Sequence, residues 1–252
     1  IDIKKFIKSR RINKNSYSIV CKAIENETEN IYAAKIIDCD NDKDKCKQII
    51  ENEVTTMMSV EHPTIIKIIG YSKVDFHNEN NVIIMMEFAK HGSLADIFKK
   101  IQNNNIPKNY TNTNRQIIAT GIAIGMKFIH ENNIINKNLK PENILLDNDF
   151  YPHISDFNPS DHLSIQNISR DSLVYKAPEF LNNQTYNKKS DVYSFGILMY
   201  QIFTDSIPFP DFLNGKMTES ELKNKIIHHN YYPILNKQIN RNLANLIYRC
   251  LS

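Results

Sequence analysis

The sequence has no C-x-x-C pair, no apolar N-terminal core of the kind that heads a secretory leader, and no apolar run long enough to cross a bilayer. Its longest apolar stretch, Ile117 to Ile129, is broken by Thr120, Gly121, Gly125 and Lys127, so a buried helix is expected there and no membrane span. None of the four cysteines (Cys21, Cys39, Cys46, Cys250) has a histidine at metal-ligand spacing. Reduced thiols in a cytoplasmic compartment are therefore expected, not a zinc site or a disulfide framework. Strong charge of one sign is missing too. The net charge is +3, from interspersed Lys, Arg, Asp and Glu, which argues against a nucleic-acid or membrane-surface partner. The most basic stretch, Lys4, Lys5, Lys8, Arg10 and Arg11, includes Phe6 and Ile7 and reads as a solvated strand edge.

What is present is globular. Hydrophobic residues make up 41% and charged residues 23% of 252, enough for two lobes or one large domain. Strand patterns occupy Phe6-Ile7, Ser18 to Ala23 and Ile31 to Ile37, with turns expected at Asn13-Lys14-Asn15-Ser16 and Glu25 to Asn30. Asp38 to Lys47 reads as a solvated loop. Cys46 to Val60 has helical spacing of Ile49, Ile50, Val54, Met57 and Met58, and further strands are predicted near Ile65 to Ser72 and Asn81 to Met86. Beyond Glu87 helices dominate: Ser93, as N-cap, to Ile101; Thr113 to Glu131; Ser190 to Phe203; Glu219 to His229; and Asn240 to Leu251. A strand-rich third followed by a helix-rich remainder predicts an α+β chain of two lobes, residues 1–86 and 87–252, with a ligand cleft between them. Asparagine is frequent throughout and is expected to fall on loops.

The most informative stretch runs from Ile135 to Asn158. It contains Asn136-Lys137-Asn138-Leu139-Lys140-Pro141-Glu142-Asn143, a short strand Ile144 to Leu146, a turn at Asn148-Asp149, a second strand, and Asp156-Phe157-Asn158. This layout resembles the catalytic loop H-R-D-L-K-x-x-N and the D-F-G turn of the protein kinases. Tyr32-Ala33-Ala34-Lys35 is similar to their V-A-I-K strand, Glu53 sits on the following helix, and His62-Pro63 follows that helix. Ala177-Pro178-Glu179 is similar to A-P-E, and Asp191-Val192-Tyr193-Ser194-Phe195-Gly196 to the D-V-x-S-F-G helix. Five separated motifs in order identify the chain as a member of that family over nearly its whole length. The resemblance implies a bilobal kinase fold, with a β-rich N-lobe carrying one main helix and a helix-rich C-lobe.

The same resemblance implies roles. Lys35, held by Glu53, would point at the α and β phosphates of ATP; without the resemblance the two together would be a structural ion pair. Asn143 and Asp156 would bind Mg²⁺, a hard cation that needs few protein ligands beside phosphate. Lys140 would offset charge on the transferred phosphoryl group, as in the Ser/Thr type. Val20, Ala33 and Leu145 would sandwich adenine, Glu87 and Ala89 would offer backbone hydrogen bonds, Met86 would be the gatekeeper, and Asp96 would reach a ribose hydroxyl. Met57, Ile68 and Phe157 would line the stacked core. As sequence alone, these are ordinary core apolars, turn residues and a helix N-terminal acid.

Three departures bear on activity. The phosphate loop reads Asn13-Lys14-Asn15-Ser16-Tyr17-Ser18-Ile19-Val20 without a glycine, so side chains should crowd the phosphates and weaken nucleotide binding. Asn158 replaces the glycine of D-F-G. Asn138 stands where the proton-accepting Asp is expected, and an amide has negligible basicity; general-base effects are worth ~10²–10⁴ in rate. Asn136 replaces the motif's His, removing a packing ring, and Lys137 replaces its Arg without the bidentate fork. Ser160, Ser164, Ser169 and Ser172 are candidate phosphorylation sites. The resemblance also implies an Arg on a further C-lobe helix that would pair with Glu179. Neither has a match here, so Glu179 is expected to lack its partner. The expected function is a pseudokinase acting through contacts with a protein substrate or partner. The alternatives are an active, slow ATP-dependent Ser/Thr kinase and a degenerate fragment without a stable fold.

Overall fold

A computed structural model describes residues 1–14, 18–37, 50–51, 54–79, 81–156, 169–235 and 239–252. These fall into two compact units, Ile1–Lys90 and His91–Ser252. The boundary follows Lys90, because Glu87, which the sequence suggested as linker, is the last residue of a strand.

The first unit is a five-stranded antiparallel sheet in the order β1-β2-β3-β5-β4, formed by β1 (Phe6–Lys14), β2 (Ser18–Glu25), β3 (Ile31–Ile37), β4 (Ile68–Ser72) and β5 (Val82–Glu87). The first half of the turn expected at Asn13-Lys14-Asn15-Ser16 is corrected: Asn13 and Lys14 extend β1, opposite Val20 and Ile19, because ladder pairing continues past the point where local turn preference would end it, while Asn15 and Ser16 lie outside the described residues. β4 starts at Ile68, later than Ile65. A short helix, α1 (residues 54–58), buries Val54 and Met57. The rest of the helix predicted from Cys46, and the loop before it, lie largely outside the described residues.

Alternation sets the packing. Side chains directly opposite in an antiparallel ladder share a face, and neighbours along a strand do not. Cys21, Ala23, Ala34, Ile36, Ile83 and Met85 therefore gather on one face, where they form a buried cluster with Ile3. β5 is buried from Val82 to Met86, as befits a strand flanked by β3 and β4.

The second unit is helical around a three-stranded sheet of β6 (Gly92–Ser93), β7 (Ile144–Leu146) and β8 (Pro152–Ile154). Ser93 caps α2 (Leu94–Gln102) as expected. The long helix α3 (Asn112–Glu131) begins one residue early, because the Thr111 backbone N–H and hydroxyl both donate to Asn114. Two short helices, α4 (Arg170–Leu173) and α5 (Pro178–Asn183), precede α6 (Lys188–Thr204). The chain continues through α7 (Pro210–Leu213), α8 (Glu219–His229) and α9 (Arg241–Leu251).

Helix α6 is apolar nearly all round and buried along most of its length, as a central helix must be. It packs against α3 and α9. Gly196 lets α9 approach: a Cβ there would lie 2.8 Å from Leu251 Cδ2 and 2.9 Å from Cys250 Cβ. The asparagine bias does fall at chain reversals. Asn78, Asn104, Asn133 and Asn230 take left-handed backbone, and Asn187 and Asn240 cap helices. Among the described residues Cys21 and Cys250 are free thiols, and no helix is long and apolar enough to cross a membrane.

Candidate functional site

In the first unit the sheet's second face carries the predicted nucleotide residues. Val20 lies opposite Lys35, Ala33 opposite Met86, and Lys35 opposite Ile84. Val20, Ala33, Lys35, Ile84 and Met86 therefore line one face, turned away from the Cys21–Met85 cluster. Ala33 and Met86 are buried, whereas Val20 and Lys35 are half-buried. A small residue beside a cation on an apolar strand face suits a flat ring followed by anionic groups. Glu87 ends β5 with its backbone N–H bonded to the Lys67 carbonyl (3.0 Å) and its carboxylate accepting from the Lys67 N–H (3.1 Å). Ala89 is half-buried just beyond. Glu53 and the glycine-free segment Asn15 to Tyr17 lie outside the described residues, as do Phe157, Asn158, Ser160 and Ser164.

In the second unit, residues 136–156 form a hydrogen-bonded assembly. Pro141–Asn143 make one 3-10 turn that delivers the chain into β7. Ile144 pairs with Ile154, and just outside that pair the Ser155 N–H and hydroxyl both reach the Asn143 carbonyl, at 2.8 and 3.1 Å. Asn143 and Asp156 are thereby set at one end of the β7–β8 hairpin. The Asn143 side-chain nitrogen donates to the Asn138 carbonyl (2.8 Å), which commits its donor to the loop. Asp156 adopts left-handed backbone (φ 51°). Leu145 is half-buried between two fully buried neighbours, so it faces the opposite side of its strand.

Asn138 acts as a donor through its side chain. Its side-chain Nδ2 donates to the Asp156 carbonyl at 3.5 Å, and its own N–H donates to Asn136 Oδ1 at 3.0 Å. Asn136 is fully buried and its Nδ2 has no partner, an unsatisfied donor where the family motif has a ring. Lys140 Nζ donates to Ser172 Oγ at 3.0 Å, joining the loop to the α4 segment. Asp96 acts within its own helix, accepting from the Ser93 N–H and hydroxyl (both 2.9 Å) in a capping box.

Other supporting residues came from the structure. Asp191, 1% exposed, accepts from the N–H groups of Asn136 (2.8 Å) and Lys137 (2.9 Å) and from His130 Nε2 (2.8 Å). The signal was available, since an acid on an otherwise buried helix requires compensating donors. Glu179 has a partner of another kind than the arginine: its carboxylate takes the Ser190 hydroxyl at 2.5 Å, eleven residues on. Burial, and then the charge of Lys140, push the Lys176 ammonium down to about 8.

Within the second unit, Asn143 and Asp156 supply oxygen donors of the kind that Mg²⁺ takes. Among the described residues no group of three His, Cys, Asp or Glu side chains could hold a metal by itself. Two oxygens from Asn143 and Asp156 suit a cation that takes its remaining ligands from phosphate and water.

The protein kinase domain profile matches residues 6–252. The chain is 30% identical over 212 residues, 81% of its length, to 3-phosphoinositide-dependent protein kinase B of Dictyostelium discoideum. It is 28% identical over 97% of its length to the human serine/threonine-protein kinase ULK3, and 27% identical over 98% to the probable serine/threonine-protein kinase nek1 of D. discoideum. It spans 22%, 51% and 53% of those three proteins, respectively.

Proposed function

The chain belongs to the protein kinase domain family, and from that premise we propose that it is a pseudokinase: a domain that binds Mg-ATP and acts through protein contacts. On this reading Val20, Ala33, Met86 and Leu145 take the base, with Glu87 and Ala89 offering backbone hydrogen bonds. Lys35, held by Glu53, takes the α and β phosphates. Asn143 and Asp156 hold the metal, and Asp96 meets the ribose with the carboxylate oxygen its cap leaves over. Bound Mg²⁺ would neutralise phosphate charge. One observation carries the proposal. Residue 138 is an amide whose nitrogen is turned to the Asp156 carbonyl, and its own carbonyl accepts from the Asn143 side chain. Nucleotide can be held there, but the acceptor alcohol meets no carboxylate from residue 138.

A slow Ser/Thr kinase is the second reading, favoured by Lys140, which keeps its ammonium on Ser172 at the loop. Positioning and metal supply much of phosphoryl transfer.

A thermal-shift titration with ATP, with and without Mg²⁺, tests the first reading. Saturation to 100 times Kd should stabilise the fold by about 2.7 kcal/mol, with Mg²⁺ required for the full shift and Lys35→Met abolishing it. The absence of any ATP shift would remove the nucleotide-binding half of the proposal. Phosphoryl transfer at about 1–100 s⁻¹, lost in Lys35→Met, would overturn the pseudokinase half.

A further inference from the structure

Lys137 is a non-glycine residue in left-handed backbone (φ 62°), immediately before Asn138. That conformation is disfavoured for a side chain with a Cβ by roughly 1–2 kcal/mol and persists only where its surroundings fix it. Both backbone groups of Lys137 are held by ionisable side chains from later in the chain. Its N–H donates to Asp191 Oδ1 (2.9 Å) on α6, and its carbonyl accepts from Lys176 Nζ (2.9 Å), one residue before the Ala177 cap of α5. The Asp191 contact is one of a set that also serves Asn136 and His130.

Lys176 is built for this place. It is 7% exposed. Its ammonium also donates to the Tyr186 hydroxyl at 2.7 Å and lies over the rings of Phe180 (5.3 Å) and Tyr186 (5.2 Å), which pack against each other. Two aromatic faces and two oxygen acceptors compensate a buried cation. The surrounding charges do not explain its retention: Lys140 opposes it and Asp191 favours it. Keeping a cation here is unfavourable on burial alone, and an apolar chain against Phe180 and Tyr186 would pack as well.

We propose that Lys176 is a positioning residue for the loop bearing Asn138, clamping the Lys137 carbonyl so that the left-handed turn presents Asn138 and Asn143 in their observed orientation. The contact stands independently of the kinase reading; only its consequence for a bound nucleotide rests on that reading.

Hydrogen exchange of the apo chain, measured by mass spectrometry on peptides covering residues 135–139 and, as an internal reference, α3 and α6, tests the proposal without nucleotide. Lys176→Met should speed exchange in 135–139 by about ten- to a hundredfold, the loss of one charge-assisted bond, with the α3 and α6 peptides unchanged. Lys176→Arg, which keeps a cationic donor, should recover most of the protection. Equal exchange in wild type and Lys176→Met would overturn the assignment, as would acceleration spread evenly over α3 and α6, the mark of a purely structural lysine. If Lys176→Met does not fold, Lys176→Gln, uncharged and one bond shorter, replaces it. Faster exchange confined to 135–139 is then expected, and none there would count against the clamp. A failed ATP shift alongside a positive exchange result would sink the nucleotide reading and leave the clamp standing.

Discussion

The Asn138 side-chain amide points its nitrogen at the Asp156 carbonyl oxygen, 3.5 Å away, so the position expected to take a proton gives one instead. The bond is long, but its polarity is definite: a carboxylate at residue 138 would set oxygen against oxygen.

Asn138→Asp therefore has two opposed effects. It removes a donor and introduces repulsion at the left-handed Asp156, and stability should fall by about 1 kcal/mol, a melting decrease of roughly 2–4 °C. It also supplies the missing base, and transfer to a peptide Ser or Thr should rise by ~10² or more if the rest of the apparatus works. Calorimetry and a phosphate-transfer assay on the same preparation separate the two. No gain in transfer would count against an otherwise competent site.

Asp191→Asn should be costly despite its near-identical shape. The amide retains one acceptor, so a donor among Asn136 N–H, Lys137 N–H and His130 loses its partner or faces an NH₂. Leaving one buried donor unpaired costs about 1–3 kcal/mol, and chemical denaturation should show a lower midpoint with an unchanged slope.

Alkaline pH should favour the fold through Lys176. Burial, then Lys140, hold its ammonium near 8, below the ordinary lysine value. Between pH 8 and about 10.4 the unfolded chain keeps a proton that the native chain has released, so stability rises with pH across that window. The contribution should reach about 2 kcal/mol by pH 10. Cys21 and Cys250, whose thiols burial raises, and the buried tyrosines act in the opposite direction above pH 9. The difference between wild type and Lys176→Met isolates the lysine. A difference flat from pH 7 to 10 would refute its depressed value.

Gly196→Ala sets two known effects against each other. Mid-helix alanine gains up to about 1 kcal/mol over glycine. Here the new Cβ meets Cys250 Cβ at 2.9 Å, an atom fixed to the α9 backbone. Overpacking of that kind costs about 1–3 kcal/mol, so net destabilisation is expected, read as a lower melting temperature. A rise would mean that α9 shifts freely.

Much was legible in the chain itself. The period-two pattern of Ile31–Ile37 set Ala33 and Lys35 on one face, and the structure adds Val20 and Met86 by register. Ser93 declared the start of α2 through its cap chemistry, and the span Glu219–His229 is as read from its spacing. These features depend on residues close in sequence, whose spacing and local hydrogen bonding act before any distant contact forms. The start of the turn expected from Asn13 was misplaced for the converse reason: at Asn13 and Lys14 local turn preference lost to the strand ladder.

The sequence alone determined the element types, the order of motifs and the replacement of a carboxylate by an amide at residue 138. Tertiary structure decided what that amide does, who partners Glu179, and which charged side chains hold Lys137. Those contacts join residues 11 to 54 positions apart. Burial then fixes which donor meets which acceptor, because a polar group removed from water must pair with whatever the fold brings to it.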